Sequence, residues 1–133
     1  MTEKKKDVLA WLFSEKNEPA KTMDIKMHRL SEGMGQDVIF TIKSLSFNEM
    51  CHYRAIQDDA RRQMGILLAG IVSPDLKDKE AYRAAGFSSA DEAVRAKLLP
   101  GEISTLASEI AKLSGYGVSV GEEIEKNSDS TTP

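Results

Sequence analysis

The chain has 133 residues, of which 41% are hydrophobic and 29% charged, an ordinary balance for one globular domain. Its formal net charge of −3 at pH 7 excludes a domain-wide positive field, and with it non-specific nucleic-acid binding as the main role. A single cysteine excludes an intramolecular disulfide, no apolar run approaches the roughly 18 residues of a membrane span, and we therefore expect a cytoplasmic protein.

The first predicted element is a short helix over residues 7–15. Its stretch 8–13 is apolar almost all round, so this helix must be buried against its own domain or against a partner. Trp11 is the only tryptophan. It is either a core or docking anchor or a hot spot for partner binding.

Two strands are predicted next. Residues 21–30 alternate between apolar and polar with period two, as in a half-buried strand. Residues 31–36 include two glycines and are expected to form a loop, and residues 37–44 are rich in β-branched and aromatic side chains. We expect an antiparallel β-hairpin over about residues 21–44, which helices or a partner must cover because a lone hairpin is marginal in water.

A helical pattern then extends over about residues 46–115. Ser46 is a natural N-cap, and Glu49 completes a capping box. Cys51 falls on the apolar stripe of this helix and is expected to be a buried small hydrophobe. Residues 64–72 fit a helix by their spacing and a buried strand by their length and composition.

Three further helices are predicted in the second half. Ser73 is the expected N-cap of a helix that begins at Pro74 and is ended by Gly86. Ser88 or Ser89 caps the next helix.

The last predicted helix begins at Pro100 and ends before Gly115.

Residues 120–133 contain too few large apolar side chains to offset the entropy of ordering, and we expect a disordered tail there. The predicted fold is α+β: a small antiparallel hairpin packed with about five or six short helices, as one domain over residues 1–119 with a helical C-terminal half.

Residues suited to catalysis or metal binding are few. His28, His52 and Cys51 are the only histidines and cysteine, whereas a zinc site needs several such ligands. Cys51 and His52 are adjacent, and adjacent helical residues point roughly 100° apart, so they do not form a nucleophile–base pair. We expect no enzymatic activity, no metal and no cofactor.

Several segments, among them Leu99-Pro-Gly-Glu and Ile71-Val-Ser-Pro-Asp, form a pattern that no catalytic chemistry explains. In order and spacing they resemble the XkdN-like tail assembly chaperones of Gram-positive phages and prophages. The stretch 57–64 is shorter than that family's pattern. The resembling segments are 7–13, 26–30, 44–50, 70–78, 98–103 and 113–116.

The resemblance implies a non-enzymatic protein that binds the phage tape measure protein during tail morphogenesis. Such chaperones keep this long, largely helical client soluble until tail tube subunits polymerise around it, and they are absent from the finished virion. The resemblance also implies that a longer, frameshifted form of the protein can exist. The alternative is a structural tail or connector protein that the virion retains. Neither nucleic acid nor membrane is an expected partner.

The candidate partner-binding residues are Trp11 and four methionines, Met23, Met27, Met50 and Met64. All four methionines occupy predicted apolar positions, and their flexible side chains suit an adaptable groove. Such a groove between hairpin and helices could take an amphipathic helix. Alternatively, the methionines fill a small core. The open edges of the hairpin offer a second route, pairing with another copy of the chain.

Overall fold

A computed structural model of the protein describes residues 7–124. It confirms the predicted α+β class, with seven helices and one antiparallel sheet of three strands in the described part. Of the predicted disordered tail, residues 125–133 lie outside this part. In chain order the elements are α1 Val8–Leu12, β1 Thr22–Lys26, α2 His28–Met34, β2 Ile39–Lys43, α3 Phe47–Arg54, α4 Asp59–Gly70, β3 Ile71–Ser73, α5 Lys79–Ala84, α6 Ala90–Lys97 and α7 Pro100–Leu113.

The sheet has the order β1-β2-β3, so β2 is its central strand. β1 and β2 form the predicted antiparallel pair, with Thr22 opposite Lys43 and Lys26 opposite Ile39. β3 adds to the other side of β2, where Ile71 lies opposite Ile42. The sequence left residues 64–72 open between helix and strand and did not predict that a third strand joins the hairpin, because β3 is only three residues long and its partner lies about 30 residues earlier in the chain.

The connection between β1 and β2 corrects two predictions. The first strand ends at Lys26 instead of residue 30, and the expected loop at 31–36 is mostly helix, since α2 extends to Met34. Gly35 ends this helix with φ at 78°, a conformation that glycine adopts without strain. Ser31 is buried in α2, and its hydroxyl accepts a hydrogen bond from Val38 N at 2.8 Å. This bond ties α2 to the start of β2.

Most helix ends agree with their local sequence signals. The capping box of Ser46 and Glu49 is confirmed, as are the Ser89 cap and the left-handed glycines after α5 and α7. The open choice at 64–72 resolves into helix to Gly70 and strand from Ile71. The helix predicted from Pro74 was placed too early, because Asp78 is the N-cap and α5 begins at Lys79.

The core lies between the sheet and the pair α4 and α7. Its four fully buried large side chains are Ile42, Leu67, Leu106 and Ile110, one from β2, one from α4 and two from α7. α3 covers α4, and its Met50 reaches the same core. Cys51 is exposed instead of buried, because α3 directs its neighbour into the core.

Candidate interaction surface

An open apolar groove of about 390 Å³ lies between α5, α6 and one end of the sheet. Its floor consists of the buried side chains of Phe40 on β2, Val94 on α6 and Leu98 after α6. The half-buried aromatic rings of Tyr82 and Phe87 line it as well. We call this feature the α5–α6 groove.

A tight turn between α5 and α6 positions the two aromatic residues. Gly86 has φ at 94°, and the amide of Phe87 donates to the carbonyl of Tyr82 at 2.9 Å. The hydroxyl of Ser89 caps α6, and Ser88 donates its N–H and its O–H to the Glu92 carboxylate. These bonds lower the pKa of Glu92 below its ordinary value. These local hydrogen bonds therefore fix the arm formed by α5 and α6, which bears the groove.

The groove is open because α5 and α6 contribute little to the core. α5 has no buried residue, and α6 has only Val94. By contrast, α4 and α7 each have four buried residues. An apolar surface that its own fold does not fill is a candidate for binding another molecule.

The rim of the groove bears charges of both signs. Asp75 and Asp78 belong to the turn before α5, where their carboxylates accept backbone hydrogen bonds from Lys77 and Ala81. Lys97 lies on the rim at the end of α6 and is exposed. An apolar floor with a mixed polar rim matches the apolar stripe and flanking polar residues of an amphipathic helix.

An ion pair fixes one wall of the groove. Arg29 on α2 donates two hydrogen bonds to the Glu102 carboxylate on α7, at 3.0 and 2.8 Å, and a third to the Lys97 carbonyl at 3.0 Å. These contacts lower the pKa of Glu102 and raise that of Arg29, each mainly through their shared hydrogen bonds. Because Leu30 and Leu98 line the groove beside these groups, the pair holds α2 and the α6–α7 turn in place around it.

The helix α1 presents a second apolar surface. Trp11 is 47% exposed and Phe13 is 79% exposed, and Val8, Leu9 and Leu12 are exposed as well. α1 has no buried residue, so Trp11 does not lie in the core, and the interpretation of Trp11 as a docking anchor stays a prediction. The alternative reading of Trp11 as a partner-binding residue stays a prediction.

The four candidate methionines do not form a joint surface with Trp11. Met27, Met50 and Met64 are buried in the core at 7%, 2% and 3% exposure. Met23 is half-buried on β1 and packs against the same core. In this conformation the four side chains contribute to packing.

The residues that line the groove could not be recognised from the sequence. They come from α2, β2, α5 and α6, which are separated by up to 68 positions between Leu30 and Leu98. One signal was available: two aromatic residues, Tyr82 and Phe87, flank Gly86 in a segment of short polar helices. Aromatic side chains in such a setting either anchor the arm or offer a binding surface.

Two kinds of feature are absent from the described part of the chain, a metal-binding cluster and a membrane-spanning helix. Among residues 7–124 no three His, Cys, Asp or Glu residues are placed to hold a metal ion. Within the same range, no helix has both the length and the apolarity needed to cross a bilayer.

Comparison with known proteins gives two findings. A family model described as phage XkdN-like tail assembly chaperone protein matches residues 9–127. A solved structure, titled as the crystal structure of the protein YqbN, superposes with a TM-score of 0.63 at 20% sequence identity, covering 79% of this chain and 94% of that one. At this identity the likeness establishes the fold alone. The comparison with curated proteins gave no match.

Proposed function

The chain belongs to the XkdN-like phage tail assembly chaperones, and we propose that it binds apolar stripes of the tape measure protein in the α5–α6 groove before the tail is assembled. In this proposal it acts without catalysis in the cytoplasm of the host cell, and the mature virion does not retain it. The observation that carries the proposal is the groove itself, an apolar surface with aromatic walls that the chain's own core leaves open.

The groove suits a helical client for two reasons. Its floor and walls are apolar, so an exposed apolar stripe on a client helix would be removed from water there. Its rim provides carboxylates at Asp75 and Asp78 and an ammonium group at Lys97 for the polar flanks of such a helix. α1, with Trp11 and Phe13 exposed, is a second contact that could reach along the same client.

Co-expression with the tape measure protein of the same genome tests the proposal. The readouts are the soluble fraction of the client and the amount that co-purifies with the tagged chaperone. Ala81 lines the groove on α5 and is exposed, so Ala81→Arg fills the groove with a charge without removing any core group. We expect it to reduce co-purification about tenfold, which corresponds to about 1.4 kcal/mol, because the long arginine side chain occupies part of the groove and places a charge beside the apolar stripe of the client.

Ala84→Arg is the matched control. Ala84 is exposed on the same short helix but does not line the groove, so this variant should retain the client. If Ala81→Arg and the wild type retain the client equally, the groove is not the binding site. If no complex forms and the protein is instead a component of purified tails, the structural virion role replaces the chaperone role.

A further inference from the structure

The outer edge of the strand β1 is unpaired within the part of the chain that the structure describes. The sheet order places β1 at one side, with β2 as its only neighbour among the described residues. The bonds Met27 N to Val38 O and Ser44 N to Lys21 O show that odd-numbered residues of β1 direct their backbone groups toward β2. The N–H and C=O groups of the even-numbered residues Thr22, Asp24 and Lys26 therefore face outward.

The two faces of this edge differ in chemistry. The side chains of Asp24 and Lys26 are on the exposed face. Ile25 is on the other face and packs against the core, but it is only half-buried, and no strand of residues 7–124 lies beside it on the outer edge. A groove of about 600 Å³ runs beside it, and Leu99 and Thr105 at the start of α7 contribute to its lining. The edge thus offers backbone hydrogen bonds, a charged pair and an unfilled apolar groove.

We propose that β1 pairs with β1 of a second copy of this chain, antiparallel, with Ile25 opposite Ile25 of the second copy. In this register each Asp24 lies opposite Lys26 of the second copy, so two oppositely charged cross-strand pairs form. A shift of two positions would place Asp24 opposite Asp24, which is unfavourable because like charges would face each other. The charge pattern of the edge is therefore complementary to itself in one register.

The charged side chains are already held at the edge. The Lys26 ammonium lies 3.2 Å from the Asp37 carboxylate, and the Asp24 carboxylate accepts a hydrogen bond from the Thr41 hydroxyl at 2.7 Å. Each of the two groups can still bind a second partner, because an ammonium group has three donors and a carboxylate accepts several hydrogen bonds. The partners on the second copy would thus meet side chains that are largely preordered.

The helical layer leaves room for this pairing. α7 packs against the central strand β2. In a continuous six-stranded sheet the two β2 strands would be roughly 14 Å apart, more than the 8–10 Å between packed helices. The pairing is two-fold symmetric and closes as a dimer. No residue of β1 lines the α5–α6 groove, so pairing through β1 does not use the residues of that groove. The inference does not depend on which client those grooves bind.

Variants in which charges at the β1 edge are reversed test the proposed pairing. The measurement is the dimerisation of the full chain by sedimentation equilibrium. Asp24→Lys and Lys26→Asp each replace two attractive pairs by two repulsive ones, and we expect each to weaken dimerisation about tenfold or more. The double variant Asp24→Lys with Lys26→Asp restores complementarity and should restore the dimer. Lys79→Asp makes the same charge change as Lys26→Asp, but on α5; it is the control and should dimerise like the wild type.

Disulfide formation tests the register in a Cys51→Ser background. Ile25→Cys should cross-link under mild oxidation, because directly opposed residues of a non-hydrogen-bonded pair are about 4.5 Å apart at Cα, within disulfide reach. Met23→Cys should not, because Met23 lies opposite Met27 of the second copy. A monomer at all concentrations, or a dimer that neither the charge exchanges nor Ile25→Cys affects, would overturn the inference. So would cross-linking of Ile25→Cys to the client instead of to itself.

Discussion

The pair α4 and α7 and the arm formed by α5 and α6 are adjacent in the chain but differ in how they are packed. α4 and α7 bury Leu67, Leu106 and Ile110 completely and bring backbone and side chain into close contact. The arm buries only Val94 and leaves an apolar groove open beside it. Both regions are helical and well capped, so helix formation does not distinguish them.

This difference in packing indicates that one region provides stability and the other provides a surface for binding. Removing apolar surface from water is the main source of folding free energy, and here that surface is concentrated in α4, α7 and the sheet. The arm is held by local caps and turns, which contribute less and leave its apolar side chains free for a partner. Substitutions in α4 and α7 should therefore lower stability and retain client binding. Substitutions in the arm should lower client binding and retain stability.

The largest expected effect comes from Gly70, where α4 meets α7. A Cβ atom there would lie 2.6 Å from Ile110 Cδ1 and within 2.9 Å of two further atoms of that buried side chain. Gly70→Ala should therefore destabilise the protein by about 1–3 kcal/mol, as overpacking does. The free energy of unfolding from urea titration measures this.

Gly33 on α2 provides the opposite case. A Cβ atom there meets nothing within 4 Å, so Gly33→Ala should stabilise the protein by about 0.5–1 kcal/mol through the helix propensity of alanine.

A double variant tests the cause assigned to Gly70. In an Ile110→Ala background the destabilisation by Gly70→Ala should be smaller, since all three contacting atoms of Ile110 are gone. Equal effects of Gly70→Ala and Gly33→Ala would remove the proposed distinction between packed and open helices.

Most helix ends were predictable because their chemistry is local. Ser46 with Glu49, Ser89 and Gly115 each act within a few residues of the chain, and the sequence displays them directly. The helix α2 was missed for the opposite reason. Two glycines suggested a loop, whereas contacts from distant residues, such as Glu102 to Arg29, contribute to holding a helix there.

A smaller effect is expected at Glu102, which connects α7 to the wall of the groove. Its folded pKa lies below its ordinary value of about 4.5. The unfolded state then binds more protons between the two pKa values, so the stabilisation is present above about pH 4.5 and is lost as pH falls through the folded pKa. Glu102→Gln should cost about 1 kcal/mol at pH 7 and lose part of this acid dependence.

Thermal unfolding followed from pH 7 to about pH 3 tests this, and the difference between the two proteins should shrink as the pH falls below about 4.5. Glu109→Gln on the same helix is the control, because Glu109 makes only a local contact with Lys112 at 3.5 Å. Glu49 and Glu92 also have lowered pKa values, which the variant leaves in place, so part of the acid dependence remains. A constant difference between wild type and Glu102→Gln at every pH would mean that the Arg29 contact does not act through charge.

The interaction surface was less predictable than the fold. Methionine frequency suggested a binding groove, but Met27, Met50 and Met64 are core residues, because nothing in a single sequence distinguishes an apolar position that faces inward from one that faces a partner. The actual groove joins Leu30, Phe40 and residues of the arm, and only the tertiary fold brings them together. The sequence located apolar positions; which of them remain uncovered depends on long-range packing.

The smallest stability effect should come from the end of α1. Phe13 is 79% exposed, so Phe13→Ser removes almost no buried surface and should change the free energy of unfolding by less than about 0.5 kcal/mol. If α1 contacts the tape measure protein, the same variant should lower the soluble, co-purifying client. Glu15→Ser, two residues further on and also exposed, is the control for a mere change of surface composition. A clear loss of stability in Phe13→Ser would mean that α1 packs onto its own domain in solution, and the division between a packed core and an open binding surface would then exclude α1.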